Sequence, residues 1–209
     1  MQFNSQDIQE FPKRYRAQFI NTLSGVKTPV LVGTRSKIGQ TNLAIFSSLV
    51  HIGSHPPLLG LIFRPDSVPR HTLSNILETE CYSINYIPAS MIENAHQTSA
   101  KYPREVSEFD ACKIQKLETE FQAPFVAHSP IRIAMKFREK IDLSINDTSL
   151  VIGEIVEVFL EKIKPREDGY LPITDANISS IVGLDSYHSP SPLFRLNYSQ
   201  PDKAPTKLC

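Results

Sequence analysis

The sequence has no tryptophan, three cysteines, eight glycines and no long apolar run, and each shortage removes a class of protein. Cys81, Cys112 and Cys209 are odd in number and widely spaced, with no C-x-x-C pair and no histidine at ligand spacing, which argues against a disulfide framework and a metal site. A lone cysteine near a histidine can be a nucleophile. Cys81, however, alternates with Ser83 and Asn85 in Cys81-Tyr-Ser-Ile-Asn-Tyr-Ile87, the pattern of one face of a strand. The few glycines form neither a G-x-G-x-x-G fingerprint, nor a P-loop, nor a G-x-S-x-G elbow, so a dinucleotide fold, a nucleotide triphosphatase and a serine hydrolase are disfavoured. Charge of one sign is also missing: 22 Lys+Arg face 22 Asp+Glu. That balance removes the basic footprint of a nucleic-acid binder or of a protein held on an anionic membrane. The most apolar stretch, residues 150–160, is interrupted by Glu154 and Glu157, short of a membrane span. The opening Met1-Gln-Phe-Asn-Ser-Gln-Asp7 has neither the cationic nor the apolar part of a secretory signal, and the expected compartment is the cytoplasm.

What is present is a series of short runs rich in β-branched residues, parted by turn residues. Pro29 to Gly33, a turn at Arg35 to Gln40, and Thr41 to Val50 read as a β-hairpin. Leu58 to Phe63 is apolar throughout and is expected to be buried on both faces. Further strands are expected at Cys81 to Ile87, Ile131 to Phe137, Lys140 to Leu143 and Leu150 to Phe159. Helical spacing is clearest over Arg70 to Glu78, where Leu73, Ile76 and Leu77 form a stripe suited to covering a sheet and Pro69 suits a first turn. Weaker helices are read over Ser90 to Ala100 and over Phe11 to Ser24, the latter packing through Phe11, Tyr15, Phe19 and Leu23. Strands outnumber helices without alternating with them, so the expected fold is mainly β, a barrel with peripheral helices. At roughly 150 residues per domain, the 209 residues read as one domain, with a helical segment at about 7–24 and an extended Pro/Ser-rich arm at about 186–209.

Two segments carry chemistry. Between Gly39 and Pro57, Thr41, Asn42, Ser47, Ser48, His51 and Ser54 crowd among small and apolar residues such as Ala44. This composition suits a groove for a polar, planar ligand, or equally a solvent-facing edge. The second segment, Phe63 to Ile76, ends a strand and opens a helix with Arg70, His71 and Thr72, with Arg64 upstream. A helix opening offers unpaired N–H groups and partial positive charge, so this is either a phosphate seat or a capped helix with a solvated arginine.

Together, Asn42-Leu-Ala-Ile-Phe-Ser47 before Pro56-Pro57, Arg70-His-Thr-Leu-Ser-Asn-Ile76 and Tyr82-Ser-Ile-Asn85 resemble the flavin reductase-like family of FMN-binding split barrels. The resemblance continues through Ala95-His-Gln-Thr-Ser99, Glu108-Phe109, Val151-Ile-Gly-Glu154 and Gly183-Leu-Asp-Ser-Tyr187, nearly the whole chain. It implies a Greek-key-like antiparallel split barrel, a homodimer holding FMN near the subunit interface. It further implies that Thr41, Asn42, Ala44, Ser47 and Ser48 line the ring and ribityl chain, that Arg70, His71 and Thr72 hold the phosphate with Arg64 as a further contact, and that His96 reaches over the flavin. The chain departs from the family at Ile45, where proline is usual. It also departs at Asn146-Asp147-Thr148, where many members that reduce free flavin carry Gly-Asp-His, the His associated with nicotinamide.

The expected function is therefore an FMN-dependent oxidoreductase in which the flavin carries the chemistry and no catalytic side chain is assigned. NAD(P)H is a possible co-substrate, and a single phosphate seat suits FMN better than FAD. The alternatives are a bound-FMN oxygenase or reductase of a small organic compound, a non-enzymatic flavin or electron carrier, and an interaction protein without cofactor.

Overall fold

The computed structural model describes residues 1–65 and 70–208, so that Pro69 and Cys209 lie outside the described residues. The chain opens with helices α1 (Ser5–Glu10) and α2 (Lys13–Leu23), then strands β1 (Val26–Lys27), β2 (Val30–Arg35), β3 (Thr41–Phe46), β4 (Leu49–Ser54) and β5 (Pro57–Phe63). Helix α3 (His71–Thr79), strand β6 (Cys81–Tyr86), and helices α4 (Ile92–Gln97) and α5 (Glu108–Ala111) follow. The remaining strands are β7 (Lys116–Leu117), β8 (Phe125–Val126), β9 (Ile131–Leu143), β10 (Thr148–Leu160), β11 (Ser180–Val182), β12 (Ser186–His188), β13 (Arg195–Leu196) and β14 (Lys207–Leu208).

Seven strands form the main antiparallel sheet in the order β3-β2-β6-β9-β10-β5-β4. Its edge strands, β3 and β4, are consecutive in the chain and separated only by Ser47 and Ser48. Two residues span at most about 7 Å, so the sheet must curl until its edges approach, which makes a barrel split between β3 and β4. The Ser48 hydroxyl fixes the corner, donating to the Ile62 carbonyl at 3.0 Å and accepting the Ile62 amide at 3.1 Å. Across the split, the Phe46 and Phe63 rings stand 4.8 Å apart.

The inner faces of the strands supply the core: Val30, Val32, Leu61, Phe63, Tyr82, Ile84, Ile131, Ile133, Met135 and Val151 are all buried, and α3 seals it with Leu73 and Ile76. At about 1.5–3 kcal/mol for each large aliphatic taken from water, this cluster holds the sheet together. A second cluster lies on the opposite face of β2 and β3, where Leu31 and Leu43 pack with Ile87, Ala95, Phe109, Ile114 and Val126.

The hairpin, helix α3 and the mainly β barrel stand as the sequence implies, but of the expected stripe only Leu73 and Ile76 are buried, while Leu77 is exposed and Thr72 and Asn75 turn inward to bond β3 and β2. Thr41 to Val50 is not one strand, however, because the Ser47-Ser48 corner carries the chain from one sheet edge to the other. The two runs expected at 131–137 and 140–143 are one strand, since Arg138 and Glu139 stay paired in the long β9–β10 hairpin or beside its bulge. Its tip holds Asn146-Asp147-Thr148, with Asp147 left-handed (φ 56°) and the Asn146 side chain accepting from Thr148 N and Oγ1. On β5, Leu61 and Phe63 are buried but Leu58 and Ile62 are half-buried, so only one face is fully covered. The N-terminal helices do not pack into the barrel core. Neither buries a residue fully, and Phe11, Tyr15 and Phe19 cluster with Phe3 instead. The helix at α1 is set by a capping box: Asn4 Oδ1 accepts the Gln6 and Asp7 amides, and Asp7 Oδ2 accepts the Asn4 amide.

Candidate functional site

Strand alternation divides β3 into two faces. Leu43 belongs to the second cluster, whereas Phe46 packs against the barrel core, so Asn42, Ala44 and Phe46 share the inner face and Thr41, Leu43 and Ile45 the outer one. Asn42, 7% exposed, donates through Nδ2 to Thr72 Oγ1 at 2.9 Å, tying β3 to the first turn of α3. One turn further along, Asn75 Nδ2 donates to Thr34 Oγ1 at 3.0 Å. These two buried bonds dock the helix opening on the β2–β3 hairpin.

That opening is unfinished. Arg70 is the N-cap residue, no side chain among the described residues caps the helix, and the ladder begins only with the Ser74 amide on the Arg70 carbonyl at 3.0 Å. The amides of His71, Thr72 and Leu73 precede that first bond. The Arg70 Nη2 donates to the Pro65 carbonyl at 3.2 Å, and its Nε is buried without a hydrogen-bond partner among the described residues. A buried guanidinium N–H and uncapped first-turn amides are donors of the kind that a phosphate group fits.

The other expected contacts divide into groups. Ala44 and Ser47 are half-buried on or next to this stretch of β3, whereas the Ser48 hydroxyl is already committed to Ile62. Thr41 turns the other way, its Oγ1 lying 2.8 Å from Ser107 Oγ. Arg64 is exposed and stands near Lys27, whose amine is held below its usual range by burial first and the Arg64 charge second. His96 is exposed on α4, which packs through Ala95 on the outer face of β3; its Nδ1 is 2.9 Å from the Tyr187 hydroxyl. Within one chain the structure therefore gathers Asn42, Arg70, His71 and Thr72, and sets Thr41 and His96 on the other side of β3.

Glu108 is a buried member of this region that composition and spacing gave no role. Its Oε2 accepts the Leu43 amide at 2.9 Å, and burial pushes its carboxyl above the usual range against the pull of that bond and of the His71 charge. The only signal was its place before Phe109; nothing in the local pattern marks a glutamate as buried. Among the described residues no group of three or more His, Cys, Asp or Glu is placed to hold a metal, and no helix is long and apolar enough to cross a membrane.

The flavin reductase like domain matches residues 23–177, three quarters of the sequence and all of the strands from β1 to β10. The chain belongs to the flavin reductase-like family. A crystal structure from Shewanella frigidimarina NCIMB 400, a protein with a split barrel domain and a provisional flavin reductase assignment, is 42% identical over 95% of this chain and 100% of its own, with a TM-score of 0.91. Two others share the fold at 20% identity. The 2-nitrobenzoate 2-nitroreductase of Pseudomonas fluorescens aligns with 98% of this chain and 99% of its own at a TM-score of 0.81. Component B of nitrilotriacetate monooxygenase from Bacillus cereus aligns with 94% and 98% at 0.80. Family membership makes this chain a split-barrel protein of flavin-linked redox chemistry, and the α3 opening lies within the matched residues.

Proposed function

We propose that the chain is a cytoplasmic, homodimeric oxidoreductase that binds FMN. The observation that carries the reading is the α3 opening, where among the described residues the buried Arg70 Nε has no partner and no side chain caps the first turn, which the buried Asn42–Thr72 bond ties to β3. Guanidinium and helix terminus together suit a phosphate dianion, and one such seat without a Gly-rich loop favours FMN over FAD. Bound there, the flavin supplies hydride or electron transfer. The chain's own residues bind and orient. Arg70 anchors the phosphate, the Asn42–Thr72 bond fixes the distance from seat to strand, and the small side chain of Ala44 leaves room for a planar group. Main-chain amides of 46–49, at the split between β3 and β4, are the donors assigned to the electron-rich edge of the ring.

The electron donor is assigned as NAD(P)H or another small reductant. The β9–β10 tip carries Asn146-Asp147-Thr148 and no imidazole, which favours a bound-FMN enzyme of a small organic substrate over a rapid reductase of free flavin. Mixing protein and FMN with NADH or NADPH without air separates the two: bleaching of the yellow colour no faster than without protein removes the NAD(P)H reductase reading. Because the sequence has no tryptophan, FMN binding is followed by fluorescence without indole emission. Arg70→Ala is expected to weaken binding at least about tenfold, from about 1.5–3 kcal/mol for a charged hydrogen bond. Unchanged affinity shows that the phosphate lies elsewhere, and a colourless protein that ignores FMN removes the flavin reading altogether.

A further inference from the structure

As an edge strand, β3 points every second amide away from β2, where no strand receives it. At Leu43 a side chain takes that amide: Glu108 Oε2, on a residue 6% exposed, accepts it at 2.9 Å. Two residues earlier the Thr41 and Ser107 hydroxyls pair at 2.8 Å, so the start of α5 is stitched to the strand edge at successive outward positions. Between these stitches Asn42 turns inward to Thr72. Glu108 thus acts on the strand that carries Asn42.

We propose that Glu108 is a positioning residue for the cofactor's phosphate seat, latching the edge of β3 at Leu43, next to Asn42, without touching the cofactor. The proposal rests on the flavin reading above. A carboxyl group at this depth is costly unless a partner meets it, and the Leu43 amide is that partner. His71 on α3, and Tyr102 and Cys112, which lie 3.6 Å from each other, are the titratable groups that its charge reaches. Burial chiefly, and the Glu108 charge with it, pushes the Cys112 thiol up.

Two substitutions separate the latch from the charge. Glu108→Gln keeps an acceptor for Leu43 and loses the charge; Glu108→Leu loses both. FMN titrations are expected to show Glu108→Leu binding several-fold more weakly and Glu108→Gln, which keeps the acceptor, binding as the wild type does. Hydrogen exchange at the Leu43 amide, measured without flavin, is expected to speed up in Glu108→Leu and to stay slow in Glu108→Gln. Wild-type FMN affinity in Glu108→Leu overturns the proposal alone. Failure of the wild type to bind FMN overturns the flavin reading and this proposal with it, while slow Leu43 exchange in Glu108→Leu removes the latch whatever the ligand.

Discussion

The two edges of the barrel sheet are made by neighbouring strands, yet they are finished differently. The β3 edge is closed by its own chain: Glu108 and Ser107 take up outward groups at Leu43 and Thr41, and α5 lies along it. The β4 edge pairs only with β5 and ends the sheet, with Val50 and Ile52 each 40% exposed. The side chains of Val50 and Ile52 meet Leu150 over Gly60, forming an apolar patch on the outside of the barrel, and Ile141 and Leu143 of β9 extend it. An uncovered edge with apolar side chains invites another chain, whereas a covered one resists it. The polar, self-sealed edge is therefore where the cofactor seat is assigned, and the apolar, open edge is where the second copy of a homodimer is expected.

The largest effect is expected from breaking the open edge. Val50→Asp combined with Ile52→Asp places two charges in the patch, and sedimentation should show dimer turning to monomer while the circular dichroism of the barrel is kept. A loss of about 2.7 kcal/mol, a hundredfold in dissociation constant, is within the range for central interface residues. A wild-type protein that is monomeric at micromolar concentration removes the homodimer.

Glycines on the two halves sharpen the contrast. A Cβ at Gly33 of β2, opposite Leu43, would strike the backbone carbonyl of Pro124 and lie 2.6 Å from Ser83 Oγ. Ser83 Oγ itself donates to that carbonyl at 2.5 Å, and Asn85 Oδ1 accepts the Val126 amide at 2.9 Å, so the covering segment is pinned. At Gly60 the three atoms nearest the new one would be side-chain ends, of Leu150, Val50 and Ile52, at 2.9–3.2 Å. Gly33→Ala is expected to cost about 1–3 kcal/mol or more, as overpacking does, and Gly60→Ala less. Thermal unfolding checks the order at about 2–4 °C per kcal/mol for a chain of this size. Equal losses would mean that the β4 side is packed as rigidly as the β3 side.

Much of this was legible in the sequence, for physical reasons. Turn residues at 35–40 and the β-branched runs around them specify the hairpin, and Leu73 and Ile76 specify α3, because period and packing agree there, whereas Leu77 fits the period but stays exposed. The alternation of Cys81, Ser83 and Asn85 marked a sheet face, and all three are buried against the segment at 122–126. The corner at Ser47-Ser48 was hidden, since serines flanked by strand formers do not by themselves break a strand; what bends the chain there is closure of the barrel. The separation of Thr41 and Asn42 onto opposite faces follows from strand geometry, but which face meets α3 is a tertiary fact. Glu108 was the least legible. A glutamate in the first turn of a four-residue helix reads as solvated, and only the unpaired amide of a distant edge strand explains why it is inside.

The smallest effect is expected from that residue's proton. Burial holds the Glu108 carboxyl above its unfolded value of about 4.3, so between the two values the native chain keeps a proton that the unfolded chain has released. The contribution is fully present below the unfolded pKa and is lost as pH rises through the folded one. Glu118, Asp142 and Asp168, held low by hydrogen bonds from Arg35, Lys140 and Arg195 respectively, slope the other way at more acid pH, and they are common to wild type and variant. The difference in Tm between Glu108→Gln and wild type should therefore move in the variant's favour from about pH 4 toward neutrality. A difference that is flat over that range would show that the Leu43 bond and the His71 charge offset the burial of the carboxylate completely, and that the sealed edge costs the fold nothing.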